Sequence, residues 1–416
     1  MSAGVPLRSV EEHRDNVLAA VRPSEVISVA VDAARGLTLA EPVHARVPIP
    51  VFDNSAMDGF AVRFDDVADA STTPAILRVV ADLPAGSPLD PPLGPSEAAR
   101  IMTGSAMPSA ADTVVPFEDT AGGLDDSLGE IRVLRTPRAR GAHRRRRGDD
   151  LAPGDEVVEA GTLLGAFQLG AAAAAGVEVV RVRRRPRVAV ISTGSELVSP
   201  GAELARGQIP ESNSLLLAGL VADAGAEVVL RTTVADDDEG LRPALAAARD
   251  AAADAVVFSG GVSAGAYEVV KSTLGPTGEM DFTAVAMQPG KPQGFGHLAD
   301  GTLLFGLPGN PVSAAVSFEV FVRPALLLMA GRTELHRPVL RVAAGTGWST
   351  PPGRRQYLPA VLDRRDPARW LVRPATAGGS GSHLAGGLAQ AEVFAVVPAE
   401  VERVEPGAMV DVMLRG

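Results

Sequence analysis

Between Arg187 and Ala314 the chain runs three times from an apolar strand into a glycine-rich loop and on into a helix. The loops read STGSEL (Ser192–Leu197), SGGVSAG (Ser259–Gly265) and GLPGNPVSA (Gly306–Ala314), after the runs RVAVI, AVVF and LLF. Leu215 to Gly225 and Gly240 to Asp254, between the loops, carry helical patterns. Such alternation implies a parallel sheet, in which every strand-to-helix turn lies at one edge and ligands bind at a topological switch point. The three loops are therefore expected to share a cleft. Glycine there lets backbone N–H groups approach an anion, and the following helices add positive dipole ends. A phosphate or another oxyanion is the expected ligand.

The length, 416 residues, suggests about three domains at roughly 150 residues each. With 44 Gly and 33 Pro the chain should hold many turns and β-rich parts beside the α/β unit. Aromatic residues are only 4%, so Ala, Val and Leu must fill the cores. The net charge, 39 − 50 = −11, argues against nucleic acid or an anionic membrane held by the bulk field, so an anion must be gripped locally. The absence of cysteine excludes disulfides, thiolate metal ligands and a cysteine nucleophile, and is compatible with a reducing cytoplasm. MSAGVPLRSVEEHRDN lacks the apolar core of a signal peptide. Gly161 to Val180 is the most apolar stretch, but Gln168, Glu178 and interior glycines make it a buried helix entering a strand rather than a membrane span.

Residues 7 to 43 read as helical, in SVEEHRDNVLAAV and again in PSEVISVAVDAARGLTLA from Ser24. Prolines and short strands dominate from Ala45 to Arg140, a β-rich module. The segment after His143 returns to helix and is expected to pack back on the first helices, which makes that module an insertion. RRRPR, Arg183 to Arg187, is the linker into the α/β domain, which should end with the helix SAAVSFEVFVRPALLLMAG near Gly331. Beyond it VLRVAAGT, RRQYLPAVL, RWLVRPA, EVFAVVP and MVDVMLR suggest a small all-β domain. The expected domains are 1–44 with 141–182, 45–140, 183–331 and 332–416.

In FDNSAMDGFAVR (Phe52–Arg63), Asp58 either shapes a loop, as Asp and Asn commonly do, or coordinates a metal or orients a substrate. Thr103 of RIMTGSAMP either donates to an oxyanion or caps a turn. HRRRRGDDL sets Arg144 to Arg147 before Asp149 and Asp150, which is a solvated charged loop or a phosphate grip beside carboxylates suited to Mg²⁺. Glu196 of STGSEL is a helix-start acid or an acid, base or metal ligand facing the cleft. Asp236 is the member of ADDDEG expected to turn inward. Glu268 and Lys271 lie at surface ion-pair spacing. In QPGKPQG (Gln288–Gly294) two Pro/Gly turns hold Lys291 on a rigid loop as a point charge for phosphate. This is no Walker loop, and neither GxSxG nor GxGxxG occurs in these loops, which weakens hydrolase-triad and nicotinamide readings.

FDNSAMDGFAVR, RIMTG, RRRGDDL, STGSEL, SGGVSAG, PGKP and GLPGNPVSA together resemble the molybdopterin molybdenumtransferase (MoeA) family, related to the gephyrin E domain, over essentially the whole chain. The resemblance implies a multidomain fold: a three-layer α/β domain with a parallel or mixed sheet, an inserted β-rich domain, a helical dimerisation part and a C-terminal β-barrel. It implies a homodimer with the active cleft between the α/β domain of one subunit and the inserted domain of the other. The implied reaction inserts molybdate into adenylylated molybdopterin with Mg²⁺ and releases AMP, with an adenylyltransferase as a further partner. Carried over by motif, Asp58, Thr103, Asp150, Glu196, Asp236 and Lys291 fall on functional positions, and Glu268 stands where relatives often have Asp. The implied metal set is Asp58, Asp150, Glu196, Asp236 and Glu268. The implied ligand cradle is Ser192, Thr193, Gly194, Gly260, Gly261, Ser263, Gly290, Pro308, Gly309, Asn310 and Ser382. Gln288 replaces a frequent lysine, a lost charge that Arg144 to Arg147 would have to offset. The rival functions are a non-catalytic scaffold that binds peptide tails, as gephyrin relatives do, and nucleotidyl transfer on a generic phosphate site.

Overall fold

The computed structural model describes residues 7–123, 127–262, 268–376 and 385–415. The first helix, Val10–Ala19, is set by a capping box: Ser9 Oγ accepts from the Glu12 N–H at 3.1 Å while the Glu12 carboxylate accepts from the Ser9 N–H at 2.9 Å. Val10, His13 and Val17 form its buried face. The second helical expectation fails. Val26–Ala30 is a strand, Val31–Ala33 a single 3₁₀ turn and Thr38–Leu39 a second strand. Val26–Ala30 and Thr38–Leu39 both pair antiparallel with Val179–Arg183, so β-branched side chains and a distant partner prevail over local helical periodicity.

After His143 the expected return to helix is also largely absent, with only Ala166–Ala174 helical among the described residues there. That helix does enter the strand Val179–Arg183, but it is not buried: only Ala172 is covered and Phe167 is 89% exposed. Ala172 and Leu169 pack into the core beneath the helix, while among the described residues the face around Phe167 is left uncovered. Residues between the two halves of this unit form a six-stranded sheet, ordered Thr113–Pro116, Gly59–Val62, Glu97–Ile101, Ala75–Leu83, Glu130–Val133 and Thr120–Ala121. A Cβ on Gly59 would lie 2.1 Å from the Val115 carbonyl oxygen, so this strand pair closes only over glycine.

The α/β sheet is mixed. Its order is Glu227–Val234, Arg187–Thr193, Ala255–Ser259, Leu303–Leu307, Pro292–His297, Met280–Ala284, with the first four strands parallel and Pro292–His297 antiparallel to both its neighbours. Alternate side chains of Arg187–Thr193 feed two cores. Val188 and Val190 pack with Leu217, Leu220 and Phe318 on one face, and Ala189 and Ile191 with Leu241, Leu245 and Val270 on the other. Helices Asn213–Asp223 and Pro311–Ser317 therefore cover one face, and Asp238–Asp250 and Val269–Leu274 the other. The helical run Pro311–Met329, with a π turn at Phe318–Val322, is long and apolar enough to cross a membrane, but 89% of its most apolar window is buried as a core helix.

All five C-terminal strands form: Val339–Ala344, Arg355–Asp363, Leu371–Pro374, Val393–Val397 and Met409–Leu414. Arg355–Asp363 pairs with both Leu371–Pro374 and Val393–Val397, which closes the five into a barrel around Leu358, Ala360, Val372, Ala395 and Val412. Met287–Gln288 adds in parallel to Arg355–Gln356 and ties the barrel to the loop that carries Lys291.

Candidate active site

The parallel strands end level with one another, Ser192 opposite Thr233 and Ser259, and Ser259 opposite Leu307. From Arg187–Thr193 the chain goes first to the strand on one side and later to the strand on the other, which creates the switch point where such sheets open a crevice. A cleft of about 560 Å³ lies there. It is lined by Ser192, Thr193, Glu196, Asp236, Gly260, Gly261, Glu268, Gly290, Lys291, Pro308, Gly309 and Asn310. Gly194 borders an adjoining pocket behind the same loop. Ser263 and Ser382 lie outside the described residues.

Local chemistry aims these groups. Gly260 has φ +98°, and a Cβ there would stand 2.6 Å from the Thr193 carbonyl oxygen, so only glycine lets the two loops meet. The acids of ADDDEG divide their work. Asp236 Oδ2 accepts from the Ser195 N–H, and the Asp236 N–H donates back to Ser195 Oγ, each at 3.2 Å. Asp237 caps the helix Asp238–Asp250 by accepting from the Gly240 N–H at 2.8 Å. Gln293 braces the Lys291 loop, donating from Nε2 to the Gly290 carbonyl at 2.6 Å and to Ser317 Oγ at 2.7 Å. Lys291 makes no ion pair among the described residues, and Asn310 with Pro311 opens the helix beside it.

Asp58, Thr103 and Asp150 do not line this cleft in their own chain. Asp58 Oδ1 accepts from the Thr103 N–H at 2.6 Å and from Thr103 Oγ1 at 2.8 Å, and the backbone bond first, then the hydroxyl, holds its pKa below the usual carboxylate value. The motif around Asp58 is knitted to the arginine run by Asp53, which pairs with Arg144 and accepts from the Arg147 N–H at 2.7 Å. Arg147 Nε also donates to the Val51 carbonyl at 3.2 Å. Arg144 and Arg147 are thus engaged with the Val51–Asp53 segment, and it is Arg354 of the barrel that stands beside Gln288, donating to its Oε1 at 2.7 Å. Asp150 is exposed, with its N–H bonded to the Ile49 carbonyl at 2.9 Å.

The five acids of the expected metal set do not gather in one chain, and among the described residues no group of three or more His, Asp or Glu stands close enough to hold a cation. Glu196, Asp236 and Glu268 do border one cleft. Such oxygen donors suit Mg²⁺, which takes one or two carboxylates and completes its shell with substrate phosphate and water.

Sequence reasoning missed two cleft residues. Glu211, only 6% exposed, accepts from Ser192 Oγ (2.9 Å), the Ser214 N–H (2.8 Å) and Ser214 Oγ (2.5 Å). Asn213 bridges two loops from the first turn of its helix. The signal was ESNS before an apolar helical run, which reads as ordinary capping.

Three family domains match the chain in order: the MoeA N-terminal region (domain I and II) over residues 8–176, the probable molybdopterin binding domain over 189–327 and the MoeA C-terminal region (domain IV) over 341–414. The sheet, its cleft and the closed barrel thus belong to a single family architecture, and the chain belongs to the MoeA family of transferases. It is 44% identical to molybdopterin molybdenumtransferase 2 of Mycobacterium tuberculosis, covering 98% of this chain and 99% of that protein. Molybdopterin molybdenumtransferase 1 of the same organism is 39% identical over 98% of both chains. The crystal structure of the molybdopterin biosynthesis MoeA protein from Pyrococcus horikoshii superposes with a TM-score of 0.82 at 32% identity, covering 99% of this chain and all of that one.

Proposed function

We propose that the chain works in molybdenum cofactor biosynthesis as an insertase that places molybdate into adenylylated molybdopterin. Water adds across the pyrophosphate link, AMP leaves, and Mg²⁺ supplies charge neutralisation at the phosphates. The observation that carries this reading is one cleft that joins glycine-rich loops, three carboxylates and a braced ammonium. Lys291 and Thr103 hold phosphate or molybdate, with Arg354 supplying the cation that Gln288 lacks. Glu196, Asp236 and Glu268 position metal and water, with Asp58 and Asp150 arriving from a second subunit. The ligand cradle is the set of backbone and hydroxyl groups from Ser192 to Gly194, Gly260, Gly261, Ser263, Gly290, Pro308 to Asn310 and Ser382.

The four-part division 1–44 with 141–182, 45–140, 183–331 and 332–416 assigns dimerisation to the first part. The exposed face of Ala166–Ala174 around Phe167 supports a homodimer, because an apolar helix face of this kind marks an interaction surface. The protein acts in the cytoplasm and receives its pterin from an adenylyltransferase. Product analysis tests the reaction: AMP released only when molybdate and adenylylated pterin are both present supports insertion. Pyrophosphate release would assign nucleotidyl transfer, and peptide binding without turnover would assign a scaffold.

A further inference from the structure

The roles above leave unused one of the most deeply set polar side chains in the cleft wall, Asn213. Asn213 is 8% exposed, and its Nδ2 donates to Ser259 Oγ at 2.7 Å and to the Gly309 carbonyl at 2.6 Å. A carbonyl only accepts, so the amide nitrogen must face Gly309 and the orientation of the side chain is fixed. Both Nδ2 hydrogens are then engaged, while Oδ1 is buried without a partner among the described residues. Thr193 Oγ1, on a residue 5% exposed, is also unpartnered among the described residues, and both residues border the cleft. Buried acceptors without donors are rare in folded proteins and demand an explanation.

Phosphate and molybdate oxygens are acceptors, so neither satisfies Asn213 Oδ1. Beside Asn213 in the chain stands Glu211, a second acceptor, whereas the ammonium of Lys291 comes from the turn before Pro292–His297, the strand beyond Leu303–Leu307 in the sheet. The cleft is therefore two-ended, with acceptors beneath the helix Asn213–Asp223 and a cation at the Gly290–Lys291 turn. We propose that Asn213 is a substrate-binding residue that accepts a hydrogen bond from a neutral N–H or O–H of the ligand, turning that donor-bearing end to the floor and the oxyanion towards Lys291. The inference rests on the insertase reading. The donor belongs to the pterin ring or to the nucleoside, through its sugar hydroxyls or adenine amine, two sources of one chemistry.

The test measures dissociation constants of free pterin, AMP and molybdate for the full-length protein and for Asn213→Leu and Ser259→Ala, with melting temperatures to confirm folding. Ser259→Ala loosens the loop bridge and keeps Oδ1. The expected result is that Asn213→Leu weakens pterin or AMP about tenfold, the scale of one lost hydrogen bond, and leaves molybdate unchanged. Whichever ligand weakens names the source of the donor. Ser259→Ala moves neither selectively. Equal loss of all three ligands in both variants would make Asn213 a mere loop bridge and overturn the proposal, as would no loss at all. Failure of the unaltered protein to bind any of the three would instead sink the insertase reading itself.

Discussion

The cleft of the α/β domain and the Asp58–Thr103 patch of the N-terminal region carry similar motif chemistry but are built in opposite ways. In the cleft, parallel strands deliver residues more than a hundred positions apart, Ser192 and Asn310, to one sheet edge. The patch is self-contained: Asp58 is held by Thr103, and Asp53 by Arg144 and Arg147, yet neither motif reaches the cleft of its own chain. Topology gathers the first set of groups within a single chain. On the proposed dimer reading the second meets a cleft across subunits, and the exposed face around Phe167 is where the subunits are expected to join.

The cleft is tested first through its ammonium. Lys291→Ala is expected to lower insertion turnover about 100-fold, the scale of losing one preorganised charge, while the melting temperature stays unchanged. A variant as active as the parent would remove Lys291 from the site. Phe167→Asp places a carboxylate on the exposed apolar face. It is expected to give monomers by sedimentation and to abolish turnover while molybdate still binds, which would separate the two regions cleanly. A dimer that persists would break the link between that face and the patch.

The smallest expected effect concerns the support beneath the cleft. His13 is 2% exposed, packs edge-on to Phe321 at 4.7 Å, and has its pKa pushed down to about 4, first by burial and then by Arg8. The unfolded chain takes up this proton near pH 6.5 and the folded chain only near 4, so stability present at neutral pH falls as the pH drops through that window. Roughly 3 kcal/mol is at stake. His13→Leu should flatten the decline of melting temperature between pH 7 and pH 4.5; an unchanged decline would assign the pH dependence to other groups.

What the sequence disclosed follows the same division. The five barrel strands were legible because short runs rich in Val and Leu are separated by Gly/Pro turns, and the cleft because glycine and proline mark its loops. Val26–Ala30 was misread as helix, since its pairing partner Val179–Arg183 lies far along the chain and leaves no local trace. Ala166–Ala174 reads as core by composition, and only its surroundings reveal an uncovered face. Glu211 and Asn213 pass for capping residues, because the contacts that make them cleft residues, to Ser192, Ser259 and Gly309, are tertiary.

That the two regions form one site across a dimer is tested most directly by mixing two broken proteins. Asp58→Asn and Glu196→Gln are each expected to be inactive in molybdate-dependent AMP release. Subunits exchanged between them should yield heterodimers with one intact site, restoring about a quarter of parental activity from statistical pairing. A mixture as inactive as either variant alone would contradict the account.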